Sequence, residues 1–313
     1  MNIIFFGSDD FAAKNLTALL DSRHDVVACV TQPDKAKGRH LNIATSPIKD
    51  IALDAGIPVL QPSNLKDMDF VKKIRAYSAD IFVVIAYGRI LPGDILSAPK
   101  QYCINVHASL LPKYRGAAPI NWAIINGEKF TGNTIIRMNT VMDAGAILSQ
   151  AREDIRPDDT SAALRARMAV SGSALLLKTL AAIEKGNVSF TKQDEKAVTF
   201  APKLTRELGL IDWTKKAEEI YNLVRGLQPW PCAYTQFKGK MLKILEAEVL
   251  PGVAEKPIRP GTVLETGKEG FVVAAGSGAL RVLKVHLQDA KAMDAGSFLI
   301  GHKIQPGQQI TSA

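Results

Sequence analysis

The spacing of Asn105 and His107 is the clearest sign of chemistry in this chain of 313 residues. Both belong to the sequence INVHASLLPKYRGAAP (residues 104–119), which opens on an apolar stretch and continues into a turn-rich loop. If Tyr102 to Val106 is a strand, side chains two positions apart share a face, so the amide and the imidazole point the same way. Two hydrogen-bond donors would then be aimed at one spot.

Asp143 is the candidate third member of this group. It follows the predicted strand 131–138 and is the one acid in VMDAGAILSQ, residues 141–150. Acids in such turns often only cap or bend the chain, but one that follows a strand of the same sheet could face His107. An amide, an imidazole and a carboxylate suit direct group transfer, in which donors stabilise an oxyanion and the substrate supplies the nucleophile. Ser109 is a weaker candidate nucleophile because the chain leads away from His107.

The elements that must position these residues alternate between apolar strands and helices. The predicted strands are 2–6, 25–31, 81–86, 102–106 and 131–138, and the predicted helices are 10–20, 48–55, 70–76 and 160–185. Strands that are continuous apolar runs are typical of a parallel sheet covered on both faces. We therefore expect an α/β domain with a doubly wound, mostly parallel sheet, in which ligands bind at the carboxyl ends of the strands.

The first turn of this domain argues against dinucleotide binding. Its sequence, GSDDFA, lacks the GxGxxG pattern, and Asp9 and Asp10 place carboxylates where a pyrophosphate would approach the helix. Nicotinamide or flavin binding is therefore not expected.

A long polar loop follows the second predicted strand. Residues 32–49 are broken by Pro and Gly, and we expect no regular structure there. Lys35, Lys37, Arg39 and His40 make its first half basic. The loop could be an ordinary solvated surface or a clamp for a phosphate-bearing partner, and the pattern leaves both open.

The C-terminal part changes to short strands separated by turns. From Ala233 onward there are five such segments, which predict a small β-barrel of the oligonucleotide-binding type. The predicted organisation is a catalytic domain over 1–189, a linker over 190–206 and the barrel over 207–313.

Charge and composition narrow the class of protein. The net charge is +8, and residues 201–313 carry as much of it as the longer part, residues 1–200. A concentration of positive charge in the shorter part favours a polyanionic partner, although solubility alone would also explain it. No apolar run of bilayer length and no secretory signal is recognisable, so we expect a cytoplasmic protein, and a monomer. Cys29, Cys103 and Cys232 form no CxxC pair and are expected to be core thiols.

Three motifs together resemble the formyltetrahydrofolate-dependent formyltransferase family. They are NVHASLLP (105–112), RGAAPI (115–120) and MDAG (142–145). The resemblance implies that Asn105 and His107 bind and polarise a formyl oxygen, while Asp143 pairs with His107 and assists proton movement. It also implies 10-formyltetrahydrofolate as co-substrate, no metal, and a folate site formed by two segments. The first segment consists of Ser109, Leu110, Leu111 and Pro112. The second lies within VIAYGRILP (84–92), where the resemblance places Ala86, Tyr87 and Gly88 beside the pterin.

The rest of the chain resembles those members of the family that act on initiator methionyl-tRNA. The similar segments are QPDKAKGR (32–39), SPIK (46–49), IDW (211–213) and LQPWPCAYT (227–235). This implies tRNA contacts at Lys35, Lys37 and Arg39, although His40, Leu41 and Asn42 replace the glycine and lysines that often follow there. The motifs leave open a sugar-nucleotide or glycinamide acceptor, a formyltetrahydrofolate hydrolase, and a non-catalytic RNA-binding protein.

Overall fold

A computed structural model of the protein describes residues 1–37, 42–250 and 258–310. Within these residues the α-helices are α1 (Asp10–Leu20), α2 (Pro47–Asp54), α3 (Met68–Ala76), α4 (Gly93–Leu96), α5 (Pro119–Ile125), α6 (Ser161–Glu184), α7 (Ala217–Gly226) and α8 (Ala295–Gly301). Short 3₁₀ turns lie at Glu195–Ala197 and Glu207–Gly209. The longer predicted helices are confirmed to within a residue or two at each end.

The first sheet has seven strands. In order across the sheet they are β10 (Ala146–Asp154), β9 (Phe130–Arg137), β7 (Tyr102–His107), β6 (Ile81–Ile85), β1 (Asn2–Gly7), β2 (Asp25–Val30) and β5 (Val59–Leu60). The five strands from β7 to β5 are parallel, whereas β9 runs antiparallel to β7 and β10 antiparallel to β9. The predicted mostly parallel sheet is therefore confirmed.

Burial along β1 shows that both faces of this sheet are covered. Ile4 and Phe6 pack in one cluster with Phe70 and Ile74 of α3. The alternate residue Phe5 is fully buried on the other face. The chain winds outward from β1 to β5 and then returns to form β6 and β7, so strand order reverses between β1 and β6. Such a switch point is where ligands bind in open α/β sheets.

The second sheet is antiparallel and is formed by the C-terminal part of the chain. Its strands are, in order, β12 (Ala233–Phe237), β13 (Lys240–Leu250), β16 (Ala279–Leu287), β15 (Gly270–Ala274) and β14 (Val263–Gly267), with β17 (Ala292–Asp294) paired to β16. The five predicted strands are confirmed in a barrel-like domain, and β17 and α8 are added to them. Helices α7 and α8 pack on this sheet.

The chain divides into two compact units that are interleaved in sequence. One contains residues 1–119, 130–154 and 165–202, and the other contains 120–129, 155–164 and 203–313. The segments 120–129 and 155–164 therefore belong to the same unit as the antiparallel sheet, although they precede it in the sequence.

The loop predicted to lack regular structure contains a short hairpin. Strand β3 (Lys35–Lys37) pairs antiparallel with β4 (Asn42–Ala44), and α2 starts within the loop, with Ser46 accepting a hydrogen bond from Lys49 N as its N-cap. That expectation was wrong because three-residue strands are too short to show an alternating pattern. A further pair of two-residue strands, β8 (Arg115–Gly116) and β11 (Phe200–Ala201), is parallel.

Helix α6 is the one helix among the described residues that is long and apolar enough to cross a membrane. Half of its most apolar window is buried inside the protein, and core helices of soluble proteins pass the same test. The length and composition of α6 are therefore weak evidence for a membrane span.

Candidate active site

Strand β7 brings Asn105 and His107 to the carboxyl-terminal edge of the parallel strands. Val84 of β6 is in register with Asn105, and Thr134 of β9 is in register with His107. The two side chains lie on one face, since side chains alternate along a strand. Asn105 is partly exposed, and its amide has no hydrogen-bond partner among the residues described here. Its two donor hydrogens are thus free for a ligand.

His107 is held at both ring nitrogens. Its side chain is only 6% exposed; Nε2 lies 2.9 Å from the carbonyl oxygen of Tyr114, and Nδ1 lies 3.6 Å from Oδ1 of Asp143. Because a carbonyl only accepts, Nε2 carries a proton in this arrangement. Nδ1 can then donate to the carboxylate only in the imidazolium form, in which both nitrogens are protonated.

The carboxylate of Asp143 is fixed from a second direction. Its Oδ2 accepts a hydrogen bond of 2.9 Å from Gly116 N, while Oδ1 faces His107. Asp143 has a φ of 54°, in the left-handed region, which Asp adopts more readily than most residues. At Gly145 a Cβ atom would lie 1.8 Å from the carbonyl oxygen of Arg137, so this turn requires glycine. The turn after β9 therefore aims Asp143 at His107.

The turn of residues 109–112 is pinned from beneath by Thr134. The hydroxyl of Thr134 donates to Ser109 O at 2.6 Å and accepts from Leu111 N at 3.1 Å and from Gln150 Nε2 at 2.9 Å. Ser109 is fully buried and its hydroxyl donates to Lys113 O, so it is part of the turn and not poised as a nucleophile. Leu111 is also buried, whereas Leu110 and Pro112 are partly exposed.

A second turn, at Ala86–Gly88, lies at the switch point of the sheet. Ala86 and Gly88 are exposed and have φ values of 46° and 76°, while the ring of Tyr87 is buried. The carbonyl oxygen of Tyr87 accepts from Gln32 Nε2 at 2.8 Å and from Ser8 Oγ at 3.3 Å. Backbone, and not the Tyr87 side chain, is what this turn presents to a ligand.

The segment after α6 supplies contacts that sequence reasoning missed. Gln193, in the stretch predicted to be linker, donates from Nε2 to the carbonyl oxygens of Asp143 and Gly145, at 2.7 and 2.8 Å. Its Oε1 accepts from Arg115. The stretch TKQDEK around Gln193 is polar and without period, so nothing in it marks a buried residue.

The basic loop is described only in part. Lys35 and Lys37 lie on β3, for which the structure describes the backbone. Arg39 lies outside the described residues.

The cysteines are buried, as expected for core thiols. Burial raises the pKa of Cys29 and of Cys103 to about 12 and raises that of Cys232. Within the described residues, no group of three His, Cys, Asp or Glu side chains is placed to hold a metal ion.

Solved structures share this fold at low sequence identity. A sugar 3N-formyl transferase, WlaRD, solved with dTDP and 5-N-formyl-THF, has a TM-score of 0.68 at 18% identity and covers 93% of this chain and 99% of its own. HypX of Aquifex aeolicus in complex with tetrahydrofolic acid has a TM-score of 0.64 at 18% identity and covers 95% of this chain and 46% of its own. At these identities the likeness concerns the fold alone.

Sequence relatives match over the full length. A methionyl-tRNA formyltransferase of Lachnospira eligens is 44% identical over 310 residues, which make up 98% of each protein. One of Caldanaerobacter subterraneus is 44% identical over 308 residues, 98% of this chain and 99% of the relative. The formyl transferase family matches residues 1–180, and the formyl transferase C-terminal domain matches residues 203–303. The chain therefore belongs to the formyl transferase family and contains both its amino-terminal and its C-terminal domain.

Proposed function

We propose that this chain transfers the formyl group of 10-formyltetrahydrofolate to the free amino group of methionyl-initiator tRNA. The observation that carries the chemistry is the cluster of Asn105, His107 and Asp143 at the carboxyl end of β7, next to the turn 109–112. Full-length relatives that are methionyl-tRNA formyltransferases support the choice of acceptor.

The amide of Asn105 is the donor assigned to the formyl oxygen. When the neutral amine attacks the formyl carbon, that oxygen becomes an oxyanion, and an unpaired amide N–H beside it needs no rearrangement to bind it. Nε2 of His107 donates to Tyr114 O and Nδ1 faces Asp143, so His107 acts beside the formyl oxygen through its contact with the Asp143 carboxylate.

Asp143 and His107 also handle the proton that the reaction must move. The attacking amine loses one proton on becoming an amide, and the position-10 nitrogen of the folate gains one before the bond from the formyl carbon to it breaks. Tetrahydrofolate then leaves as a neutral secondary amine, and atoms and charge balance without a further reactant. A partly exposed carboxylate, 14% accessible and in contact with a histidine, is a suitable relay for this proton.

We assign the folate to the two turns that follow the adjacent parallel strands β6 and β7. Ser109 and Leu111 are buried and their backbone groups bond to Thr134, so they contribute by holding the turn in shape, while Leu110 and Pro112 offer apolar contact. The backbone of the two exposed residues of the other turn, Ala86 and Gly88, is assigned to the pterin, whose ring edge carries donors and acceptors that suit peptide groups.

We assign the tRNA to Lys35, Lys37 and Arg39 and to the basic C-terminal domain. The charge distribution supports this assignment, since cationic side chains supply most of the affinity for a phosphate backbone. The proposed functional domains are a catalytic domain at 1–189, a linker at 190–206 and a tRNA-binding domain at 207–313, in a monomeric cytoplasmic enzyme.

An acceptor panel tests the proposal. Labelled 10-formyltetrahydrofolate is incubated with the protein and, in separate reactions, initiator methionyl-tRNA, free methionine, glycinamide ribonucleotide, an amino-sugar nucleotide or water alone. We expect label on the methionyl-tRNA only. Label on a small acceptor, or release of formate without transfer, would assign one of the other formyl-group reactions. No turnover with any acceptor would leave a non-catalytic RNA-binding protein.

A further inference from the structure

Gln193 is a buried amide whose hydrogen-bonding capacity is fully used. Its side chain is 4% exposed, with Nε2 donating to the carbonyl oxygens of Asp143 and Gly145 and Oε1 accepting from Nε and Nη2 of Arg115, at 3.0 and 2.8 Å. A carboxamide has two donor hydrogens and two acceptor lone pairs. Each of the four has a partner, which fixes the side chain in one orientation.

Arg115, which donates to Oε1 of Gln193, is itself held in place. It is 5% exposed, and its guanidinium forms two hydrogen bonds with Glu195, from Nη1 to Oε2 at 3.1 Å and from Nη2 to Oε1 at 2.8 Å. These hydrogen bonds lower the pKa of Glu195. A buried guanidinium needs such partners because its charge is costly to remove from water. The pairing of β8 with β11 holds the same region through its backbone.

Residues 115 and 116 thus fix Asp143 in two ways, one at its backbone and one at its carboxylate. The side chain of Arg115 holds Gln193, which holds the backbone of Asp143, while the backbone N–H of Gly116 holds its carboxylate. Asp143 has a left-handed φ and a contact of 3.6 Å with His107, so a small rotation of its backbone would move the carboxylate away from the imidazole.

We propose that Gln193 is a positioning residue for formyl transfer, which acts by fixing the backbone at Asp143 so that the carboxylate meets His107. This inference rests on the catalytic role proposed for Asp143. Gln193 does not touch the reacting atoms; it determines how closely the proton relay is aligned. A displacement of about 1 Å at a catalytic group is enough to slow a reaction by about 10²-fold.

The variant Gln193→Glu keeps the contact with Arg115 and removes the contact with the backbone of Asp143. A glutamate keeps oxygen acceptors for Arg115 but has no hydrogens for the carbonyl oxygens of Asp143 and Gly145, and it repels them. We expect kcat to fall about 10- to 100-fold with unchanged KM for both substrates. Lys192→Ala, which removes an exposed side chain of the same segment, is the control and should retain the wild-type kcat.

A double variant shows whether Gln193 acts through Asp143. If it does, adding Gln193→Glu to Asp143→Ala should lower kcat little further. If Gln193→Glu lowered kcat by the same factor in the Asp143→Ala background as in the wild type, the positioning role would be overturned. A wild-type kcat in Gln193→Glu alone would overturn it as well. A wild-type kcat in Asp143→Ala would instead contradict the proposed function, so the two failures are distinguishable. Thermal unfolding is measured for every variant, and Gln193→Met, which has a similar length and no charge, replaces Gln193→Glu if that variant does not fold.

Discussion

The three residues of the site differ in how much of their bonding capacity the protein itself uses. His107 has a partner at each ring nitrogen and Asp143 one at each carboxylate oxygen, whereas the amide of Asn105 has none among the described residues. A site that must bind developing charge benefits from donors that are positioned but unoccupied. We therefore propose that Asn105 is the residue that contacts the substrate, and that His107 and Asp143 form a pair beside it.

The charge of Asp143 can be removed with little change in shape. In Asp143→Asn the side-chain oxygen can still accept from Gly116 N, but no negative charge then faces Nδ1 of His107. We expect kcat to fall about 10²-fold or more, with tRNA affinity unchanged. Steady-state kinetics and a filter-binding titration measure the two effects.

The control for this variant is Asp54→Asn, an exposed acid at the end of α2. It should behave as the wild type. Retention of most of the wild-type kcat in Asp143→Asn would show that the negative charge is not needed.

Among the elements, β9 supports the turn of residues 109–112, to which we assign the folate. Thr134 is fully buried and its hydroxyl joins Ser109, Leu111 and Gln150. Thr134→Val keeps the size and the β-branched shape but leaves those groups unsatisfied. We expect a loss of about 1–3 kcal/mol in the free energy of unfolding and a raised KM for the folate.

Denaturant unfolding and folate-dependent kinetics measure both effects. Thr17→Val is the matched control, since its hydroxyl donates only to Ala13 O on the exposed surface of α1. If Thr134→Val had the stability and folate KM of the wild type, the turn would not depend on β9.

The sequence predicted those strands and helices that show a hydrophobic periodicity or a continuous apolar run. Strand β6 was predicted because it is a continuous apolar run, and helix α6 because it is long and its apolar residues recur at helical spacing. The pairing of Asn105 with His107 followed from the two-residue repeat of a strand. The hairpin of β3 and β4 and the pair β8 and β11 were missed, since strands of two or three residues have no period to detect.

Contacts made by irregular segments were also beyond prediction. Gln193 lies in a polar stretch, and only the folded chain shows that residues 193 and 143, fifty positions apart, share a hydrogen bond. The family resemblance identified Asp143, but the residue that holds its backbone carried no motif. Positioning groups of this kind depend on tertiary geometry, which local pattern does not encode.

For the whole molecule, the division into units differs from a simple boundary in the sequence. Residues 120–129 and 155–164 belong with the C-terminal part, where Asn121 donates to Gly226 O and buried Arg225 donates to Arg156 O and Asp159 O. Composition shifts mark where the chain changes character, but they cannot show that earlier segments complete a later unit. A cut near residue 203 would therefore leave the C-terminal fragment without residues 120–129 and 155–164 of its own unit, while the amino-terminal fragment would keep all of the first unit.

The buried thiols give the whole protein a pH dependence at the alkaline end. In the folded state the pKa of Cys29 and of Cys103 is raised to about 12, above the ordinary value that each recovers on unfolding. A raised pKa of this kind means that the protonated thiol is favoured by folding. Its contribution to stability is complete below a pH of about 8.5 and is lost as the pH rises toward 12.

We therefore expect the free energy of unfolding to decline as the pH rises above about 9, and less steeply in a variant with both cysteines changed to alanine. Urea unfolding at a series of pH values compares the two proteins. Parallel curves would show that these thiols do not contribute.

The most direct test of the account is single-turnover formyl transfer with Asn105→Ala. Enzyme in excess over labelled 10-formyltetrahydrofolate, saturated with initiator methionyl-tRNA, is quenched at intervals, so that the rate reports the chemical step. Loss of one oxyanion donor should slow that step about 10²–10³-fold while the affinities for both substrates stay those of the wild type. Asn187→Ala, an exposed amide after α6, should transfer at the wild-type rate. A wild-type rate of transfer in Asn105→Ala would contradict the assignment of the formyl oxygen to Asn105.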